Sequence, residues 1–469
     1  MDTPICDFVS RYAASGFARF HMPGHKGRAL LGPEPFDLTE IRGADELYRS
    51  AGIIRRSEEN AAALFGAGRT VYSAEGSSLS IRAMLALAVW RAAERGLPKR
   101  LLAGRNAHRV LLSAAALLDV EVEWLFPEEG EGLLSCTVDP ERLAERLREG
   151  TFMGVYLTSP DYLGRLAPVD RLAEVCHAFG VPLLVDNAHG AYLKFLTPDR
   201  HPLTLGADLC CDSAHKTLPC LTGAGYLHIG ARSRWPWADR AEEAMALFAS
   251  TSPSYLILQS LDRANRELAG EYPEKLRRTA ARLAGLKAKL ADQGWSMTGE
   301  EPMKLTLLPR KMGWYGTEAA DRLRQRGIEA EFADPEYVTL MPSAETTEAE
   351  WQRLEEALTE LSGQRGAPVG SPAPDPGRPV RVCGLREALL SPAERVPVEE
   401  ALGRILADPE AGCPPAVPVR MPGERIDEAA LRCFRYWGQE TLRCLPRGYV
   451  PKASGKIPGT PCKIRDDLI

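Results

Sequence analysis

The sequence predicts an α/β protein with a large domain built on a mostly parallel sheet, a smaller α/β domain and a C-terminal α+β module. Short apolar runs at residues 154–157, 181–185 and 207–211 alternate with segments of helical periodicity. Uninterrupted apolar runs of this length are typical of parallel strands that are buried on both faces. Their alternation with helices favours a sheet covered by helices on both sides.

Changes in composition set the predicted domain boundaries. The parts are an N-terminal arm at 1–57, the large domain at 58–294, the small α/β domain at 295–365, a linker at 366–379 and the C-terminal module at 380–469. The linker is rich in Pro and Gly, as extended connections are. A capping box from Thr347 to Glu350 predicts the start of the last helix of the small domain. In the C-terminal module we expect helices around 398–406 and 427–442, and a loosely held tail at 449–469.

Composition excludes several classes of function. The 469 residues are 45% hydrophobic and 26% charged with a net charge of -5, and no basic stripe points to nucleic acid. No apolar stretch reaches the length of a membrane span. The eleven cysteines form no C-x-x-C pair, and the histidines show no metal-ligand spacing. We therefore expect a cytoplasmic protein with reduced thiols and no metal site.

A lysine among small, hydroxyl and imidazole side chains follows the apolar run at 207–211. Lys216 is preceded by Ser213, Ala214 and His215. A lysine amine forms an imine with an aldehyde cofactor such as pyridoxal 5'-phosphate, which then withdraws electrons from the α carbon of an amino acid. A lone lysine after a strand is more often a solvated surface charge, so the hypothesis depends on other segments.

Three further segments carry groups that such a cofactor needs. Asp186 follows the apolar run at 181–185, where it either caps a turn or holds the positive charge of a pyridine nitrogen. Residues 76–78, Gly-Ser-Ser, start a predicted helix, where N–H groups and hydroxyls favour a phosphate; an ordinary serine N-cap is the alternative. His108 is either a ring that stacks on the cofactor or a loop histidine.

Taken in order, these segments resemble the ornithine, lysine and arginine decarboxylases, which are pyridoxal-phosphate-dependent enzymes of the aspartate aminotransferase fold, or fold type I. The resemblance is most specific at residues 20–27, Phe-His-Met-Pro-Gly-His-Lys-Gly. It covers roughly 19–424 and ends at Met-Pro-Gly-Glu, residues 421–424. Because the chain starts almost at the first of these motifs, we expect a short form that lacks the N-terminal wing domain of the larger relatives.

The resemblance implies a role for each matching residue. Lys216 would form the Schiff base with pyridoxal 5'-phosphate, Asp186 would pair with the pyridine nitrogen, and His108 would stack on the ring. His215 would assist at the phosphate and influence the protonation of Lys216, which makes Lys216, His215 and His108 the implied catalytic residues. The implied cofactor-binding residues of the large domain are Gly76, Ser77, Ser78, His108, Asp186, Ala188, His189, Ser213, His215 and Lys216.

Four positions depart from the family pattern. Glu75 places a carboxylate beside the expected phosphate site, so it must point away or be paired. Asn187 stands where the family commonly has glutamate, Gly223 where it has glutamine and Cys413 where it has tyrosine. These departures leave open whether the activity is altered, but they leave Lys216 and Asp186 in place.

The implied reaction is the decarboxylation of arginine, lysine or ornithine to the corresponding amine in polyamine biosynthesis. A distal acid would select the basic side chain, and Glu46 and Glu424 are the candidates, with Ser252 reaching across a subunit interface. We expect a homodimer with shared active sites, and a tetramer is the alternative. Two other functions stay open: another reaction on the same cofactor, such as transamination or β-elimination, and a catalytically silent regulatory relative.

Overall fold

The computed structural model describes residues 1–128, 130–364, 366–367, 369–410 and 415–451. These residues form two compact units. The first contains residues 1–375 and 415–418, and the second contains 376–410 and 419–451. Of the predicted features, Cys413 and most of the tail, residues 452–469, lie outside the described residues.

The first unit alternates strands with helices along most of its length. Its helices are α1 Pro4–Ala14, α2 Ile53–Phe65, α3 Gly76–Glu94, α4 Arg109–Leu118, α5 Pro140–Glu149, α6 Val169–Ala178, α7 Ala214–Thr217, α8 Ala241–Ala246, α9 Tyr255–Leu268, α10 Tyr272–Asp292, α11 Gly316–Arg324 and α12 Glu348–Ser362. Its strands are β1 Ala67–Ser73, β2 Arg100–Gly104, β3 Glu121–Leu125, β4 Gly154–Thr158, β5 Leu183–Asp186, β6 Leu209–Asp212, β7 Gly225–Gly230, β8 Met297–Thr298, β9 Leu305–Leu307, β10 Phe332–Ala333 and β11 Val338–Leu340.

Seven strands form the large sheet in the order β1-β7-β6-β5-β4-β2-β3. The pairs from β3 to β6 are parallel, whereas β7 runs antiparallel to both β6 and β1. All residues of β5, β6 and β7 are buried, as expected for strands covered on both faces. Helix α3 is apolar around most of its circumference and packs against β6, β7 and α4. The predicted fold class is therefore confirmed for the large sheet.

Helix α1 packs against α2 and α9, so the first fourteen residues are part of the first unit. Ile5 and Val9 are fully buried. The carboxylate of Asp262 in α9 accepts hydrogen bonds from the N–H groups of Ile5 at 3.0 Å and Cys6 at 2.9 Å, and from the hydroxyl of Ser57 at 2.5 Å. An acid at a helix N-terminus satisfies N–H groups that have no partner within the helix.

A second sheet lies in the first unit, with the order β10-β11-β9-β8 and antiparallel pairing throughout. The apolar segments near 304–308 and 337–341 predict strands, and β9 and β11 lie there. Helix α12 begins at the capping box between Thr347 and Glu350, as predicted, and buries Trp351, Leu354 and Leu358 in the core of this region.

The second unit contains α13 Leu385–Leu390, β12 Glu394–Pro397, α14 Glu428–Tyr436 and β13 Thr441–Cys444. The predicted helix at 398–406 is wrong, because only Val398–Glu400 forms a 3-10 turn and Gly403 then adopts a positive φ of 77°. The helix predicted at 427–442 ends at Tyr436, before Gly438 with φ 69°. The chain then enters β13, which pairs with β12, a long-range pairing that local periodicity did not reveal.

In the part of the chain that the structure describes, every helix is too short or too polar to cross a lipid bilayer.

Candidate active site

The candidate residues collect at one edge of the seven-stranded sheet. Strands β1, β2, β5 and β6 run in the same direction, because β1 and β6 are both antiparallel to β7. Their carboxyl ends therefore share an edge, which is where open α/β sheets bind ligands. The predicted cofactor residues end these strands or follow them within a few positions: 76–78 after β1, His108 after β2, 186–189 at the end of β5 and 213–216 after β6.

Lys216 lies in α7 and contacts a buried histidine. Its Nζ is 3.0 Å from Nε2 of His189, although the lysine as a whole is exposed in the single chain. Burial, together with the positive charges of Lys304 and Lys216, holds the pKa of His189 well below its ordinary value. The neutral ring therefore accepts a hydrogen bond from the ammonium group through Nε2. Its proton is on Nδ1, a buried atom that has no hydrogen-bond partner among the described residues.

Asp186 is held by three donors at the end of β5. The hydroxyl of Tyr156 donates to Oδ2 at 3.0 Å, while the N–H of Ala188 at 3.2 Å and the thiol of Cys211 at 3.5 Å donate to Oδ1. Burial raises the pKa of Tyr156 far above its ordinary value, and the charge of Asp186 acts in the same direction. Tyr156 is therefore a protonated donor that fixes the carboxylate.

The start of α3 has the predicted character of an anion site. The hydroxyl of Ser213 donates to that of Ser77 at 2.7 Å, and Ser78 is half-buried beside them. Gly76 adopts a φ of 67° and donates its N–H to the carbonyl of Gly223 at 2.7 Å. A Cβ at Gly225 would lie only 2.9 Å from the carbonyl carbon of Gly76, so the backbone of β7 approaches the helix start closely. Two hydroxyls and the N-terminus of a long helix thus converge at one point.

Both predicted catalytic histidines lie close to these groups. His215 donates from Nδ1 to the carbonyl of Ala224 at 2.8 Å, and its Cε1 would lie 3.7 Å from a Cβ at Gly76. His108 is the N-cap of α4, where its Nδ1 accepts the N–H of Val110 at 3.2 Å. Burial lowers the pKa of His108; Asp186 opposes that effect and Lys216 adds to it, so both lie within electrostatic reach of the ring.

Three of the four departures from the family pattern have a structural account. Glu75 accepts the N–H of Ser250 at 2.8 Å and is therefore paired. Asn187 donates to a buried carboxylate, Asp212, at 2.6 Å. Gly223 has a φ of 98°, and a Cβ there would lie 3.0 Å from the carbonyl oxygen of Ala74, so a side chain would strain this turn.

The three predicted substrate residues have other partners in the single chain. Glu46 is exposed and lies 3.8 Å from Arg49. Ser252 is exposed and donates its N–H to the hydroxyl of Ser250. Glu424 belongs to the second unit, where it is buried and accepts the N–H of Met421 at 2.7 Å. That contact stabilises the Met-Pro-Gly-Glu turn, and a substrate role for Glu424 stays a prediction.

A carboxylate that the sequence analysis missed lies near Lys216. Glu331 is exposed and accepts a hydrogen bond from the hydroxyl of Tyr162 at 2.8 Å. The ring of Tyr162 packs edge-on against that of His189, with their centroids 5.0 Å apart. Burial lowers the pKa of His215, and the charge of Glu331 opposes that effect. Glu331 precedes β10, more than a hundred residues after Lys216, so no local pattern joined the two.

The groups present fit pyridoxal 5'-phosphate. An amine, a buried carboxylate and a pair of hydroxyls at a helix N-terminus match an aldehyde, a pyridinium and a phosphate. The orphaned Nδ1–H of His189 supplies a further donor.

Comparisons with known proteins bear on the family and the fold of the chain. The family model described as "Orn/Lys/Arg decarboxylase, major domain" matches residues 3–347, and the model of the C-terminal domain of the same family matches 385–447. The chain is 30% identical to an arginine decarboxylase of Halalkalibacterium halodurans over 92% of its own length and 93% of that protein. It is 30% identical to an arginine decarboxylase of Bacillus subtilis, with 91% and 92% covered.

Among solved structures, the constitutive lysine decarboxylase of E. coli has a similar fold. Its TM-score is 0.75 at 18% identity, over 95% of this chain and 82% of that one. The fold is thus fold type I, as predicted. Because the family models match residues 3–347 and 385–447, the chain belongs to the Orn/Lys/Arg decarboxylase family.

Proposed function

We propose that this protein decarboxylates a basic amino acid with pyridoxal 5'-phosphate, and that arginine is its substrate. The contact between Lys216 and His189 carries the proposal, because it orients an amine at the sheet edge where Asp186 and the α3 N-terminus also lie. The family match supports decarboxylation, and the name shared by the two relatives at 30% identity supports arginine.

Each group of the site has a part in holding the cofactor. Gly76, Ser77, Ser78 and Ser213 hold the phosphate, assisted by His215. Asp186 would hold the positive charge of the pyridine nitrogen, Ala188 and His108 would contact the ring, and Lys216 would bind the aldehyde. When bound, the cofactor accepts the electrons that the departing carboxylate leaves on the α carbon.

The chain's own residues prepare that chemistry. Tyr156 and the N–H of Ala188 keep Asp186 in place. His189, neutral because it is buried, accepts a hydrogen bond from Lys216 and so orients its Nζ. His215 lies beside Lys216, and the hydrogen on its Nδ1 is committed to Ala224, which leaves Nε2 to exchange a proton.

Glu331 is our candidate for recognition of the basic side chain. Its carboxylate is fixed by Tyr162, whose ring packs against His189. A carboxylate pairs well with the guanidinium or ammonium group of a basic substrate. Glu46, Glu424 and Ser252 remain predictions for the same role, which in the case of Glu46 and Ser252 requires a second subunit.

Large apolar side chains near the N-terminus support a homodimer. Phe17, Phe20, Leu30 and Leu31 are 71%, 96%, 80% and 92% exposed in the single chain. Apolar side chains concentrated this way are typical of an interface, and we propose a second copy of this chain as the partner. Light scattering of the purified protein distinguishes dimer, tetramer and monomer, and a monomer would contradict the proposal.

The reaction itself is tested by direct assay. The protein loaded with pyridoxal 5'-phosphate is incubated with arginine, lysine or ornithine, and carbon dioxide and amine are measured. We expect both products in equal amounts, fastest with arginine. Formation of a keto acid only when an acceptor keto acid is added would establish transamination instead. A bound cofactor whose absorbance no amino acid changes would favour a regulatory protein. A cytoplasmic location and a part in polyamine biosynthesis remain predictions.

A further inference from the structure

One buried carboxylate next to the candidate site has four side-chain partners. Asp212 is the last residue of β6 and is fully buried. Its Oδ1 accepts hydrogen bonds from Nδ2 of Asn187 at 2.6 Å and from the thiol of Cys210 at 3.7 Å. Its Oδ2 lies 3.0 Å from Nε2 of His201 and 3.3 Å from Nε2 of His228. All four partners are themselves fully buried, so no water competes for these contacts.

Asn187, Cys210 and His201 are oriented to donate to Asp212, whereas Nε2 of His228 lies close to Oδ2 without hydrogen-bond geometry. The N–H of Leu203 donates to Nδ1 of His201 at 3.4 Å, which leaves the ring hydrogen on Nε2. Nδ1 of His228 lies 2.8 Å from the hydroxyl of Thr70, and burial lowers the pKa of His228 against the effect of Asp212. Burial raises the pKa of Asp212, but the contacts with His201 and His228 outweigh it and hold that pKa below its ordinary value. Asp212 is therefore a buried carboxylate held by hydrogen-bond donors.

Some residues around Asp212 are of types that bind metal ions, but the hydrogen bonds that they make do not fit a metal site. Ligand atoms of His201, Cys210 and Asp212 lie within 4.8 Å of one another. A metal-bound imidazole normally donates from its second nitrogen, whereas Nδ1 of His201 accepts. We interpret the group as a hydrogen-bonded cluster.

The contact with Asn187 connects this cluster to the site. Asn187 lies between Asp186 and His189, and its carbonyl accepts the N–H of Gly190 at 2.8 Å. A Cβ at Gly190 would lie 2.0 Å from Oδ1 of Asn187, so the amide packs tightly inside the turn at 186–190. Through its side chain this turn is anchored on Asp212.

Asp212 is also close in sequence to Lys216. It ends β6, and Ser213 then leads into α7, which carries the lysine. One carboxylate thus fixes the end of β6 and, through Asn187, the end of β5. The amine and its partners Asp186 and His189 lie on these two ends.

We propose that Asp212 is a positioning residue that holds the turn at 186–190 against the end of β6, and so sets Asp186 and His189 in register with Lys216 around the cofactor. The inference rests on the proposed function only for the identity of the cofactor.

The test is Asp212→Asn, with Asp208→Asn as the matched control. Asparagine keeps the shape but offers one acceptor oxygen, so its amide hydrogens face either Asn187 or the two histidines. Asp208 immediately precedes the same strand, is 1% exposed and also has two partners, the buried N–H of Leu183 at 2.9 Å and the partly exposed His177 at 3.0 Å. It lies at the opposite end of β6 from the site.

Three readouts are measured on each variant: the affinity of the apoprotein for pyridoxal 5'-phosphate, the visible circular dichroism of the bound cofactor and the steady-state constants. We expect Asp212→Asn to lower cofactor affinity about 10-fold or more, to change the visible dichroism, and to lower kcat more than it raises KM. Asp208→Asn should lower the melting temperature without changing affinity or dichroism.

Asn187→Ala provides a second variant if Asp212→Asn does not fold. It removes the amide and leaves the contacts of Asp212 with His201 and His228. It should reproduce the defect, and the double variant should be no worse than either single one. Affinity and dichroism like those of the wild type in a folded variant would overturn the proposal. Wild-type protein that binds the cofactor but produces no amine would defeat the proposed function and leave this inference standing.

Discussion

Nζ of Lys216 lies 3.0 Å from Nε2 of His189. The lysine follows the end of β6, and the histidine follows the end of the neighbouring strand β5. Although Lys216 is exposed, its amine therefore contacts the buried ring of His189. Because burial keeps His189 neutral, its ring accepts a hydrogen bond from the lysine.

Lys216→Ala should abolish turnover, since it removes the amine that we assign to the aldehyde of the cofactor. The visible absorbance that borohydride bleaches in the wild type should also disappear. Cys220→Ser is the control, because that thiol contacts the carbonyl of Ser260 and burial raises its pKa to about 12. It should keep most of the activity. Equal decarboxylation by the lysine variant would contradict the mechanism.

Tyr156→Phe should weaken cofactor binding, because it removes the hydroxyl that donates to Asp186. A hydrogen bond to a charged group contributes about 1.5–3 kcal/mol, so we expect a loss of about 10- to 100-fold in affinity for pyridoxal 5'-phosphate. Tyr226→Phe is the matched control: its hydroxyl is buried and has no hydrogen-bond partner among the described residues. Similar effects of the two variants would show that the contact with Asp186 is unimportant.

Glu331→Gln should raise KM for the basic substrate by about 10-fold or more, since the charge that we assign to its recognition is lost. The affinity for the cofactor should not change. Glu329→Gln serves as control, because Glu329 lies two positions earlier and is paired with Arg324 at 2.6 Å. If steady-state kinetics show the same KM for Glu331→Gln as for the wild type, Glu331 does not bind the substrate.

Lys304→Met should destabilise the first unit. Nζ of Lys304 lies 3.0 Å from Oε2 of Glu301, and their side chains are 1% and 0% exposed. Removing one partner of a buried ion pair leaves the other charge unpaired, at a cost of about 3–5 kcal/mol. Thermal denaturation should show a lower melting temperature, and Glu301→Leu in the same chain should restore part of it. No recovery in the double variant would mean that lost packing causes the effect.

The contribution of His189 to the stability of the protein should fall as the pH drops below about 6.5, the ordinary pKa of histidine. The pKa of His189 lies well below that value in the folded chain, so in this range the unfolded chain binds more protons and is favoured. His228 is buried and contributes with the same sign. Melting temperatures measured from pH 7 to 5 should fall less steeply for His189→Asn. If the melting temperature depends on pH as steeply in His189→Asn as in the wild type, the lowered pKa of His189 does not contribute to that dependence.

Local sequence patterns were sufficient to predict which residues lie at the edge of the sheet. They were not sufficient to predict the partners of those residues. The ends of β5 and β6 followed from apolar runs that stop at Asp186 and before Ser213, and a sheet of parallel strands then brings those ends together. The partners of these residues come from other parts of the chain. Tyr156 lies on β4, inside an apolar run that indicates only burial. Lys304 and Glu331 immediately precede strands β9 and β10 of the second sheet, and their spacing to Lys216 follows no period.

The second unit shows why periodicity failed there. Residues 398–406 have helical spacing of apolar side chains, but Gly403 with a positive φ interrupts the helix, and β12 pairs with β13 across more than forty residues. Such pairing depends on contacts far apart in sequence, which no window of ten residues contains. The same holds for Asp212, whose partners His201 and His228 are spaced irregularly and meet only in the folded sheet.

The bond between Asp262 and the start of α1 bears on how this chain can be shortened. A variant that begins after residue 14 would keep the carboxylate of Asp262 in the interior. It would lack the N–H groups of Ile5 and Cys6, which donate hydrogen bonds to that carboxylate. An affinity tag fused directly before Thr3 would lie next to the hydrogen bonds between Asp262 and the start of α1. Extensions at this terminus are better tolerated when a flexible spacer precedes Met1, because the opening helix is then free to dock as it does here.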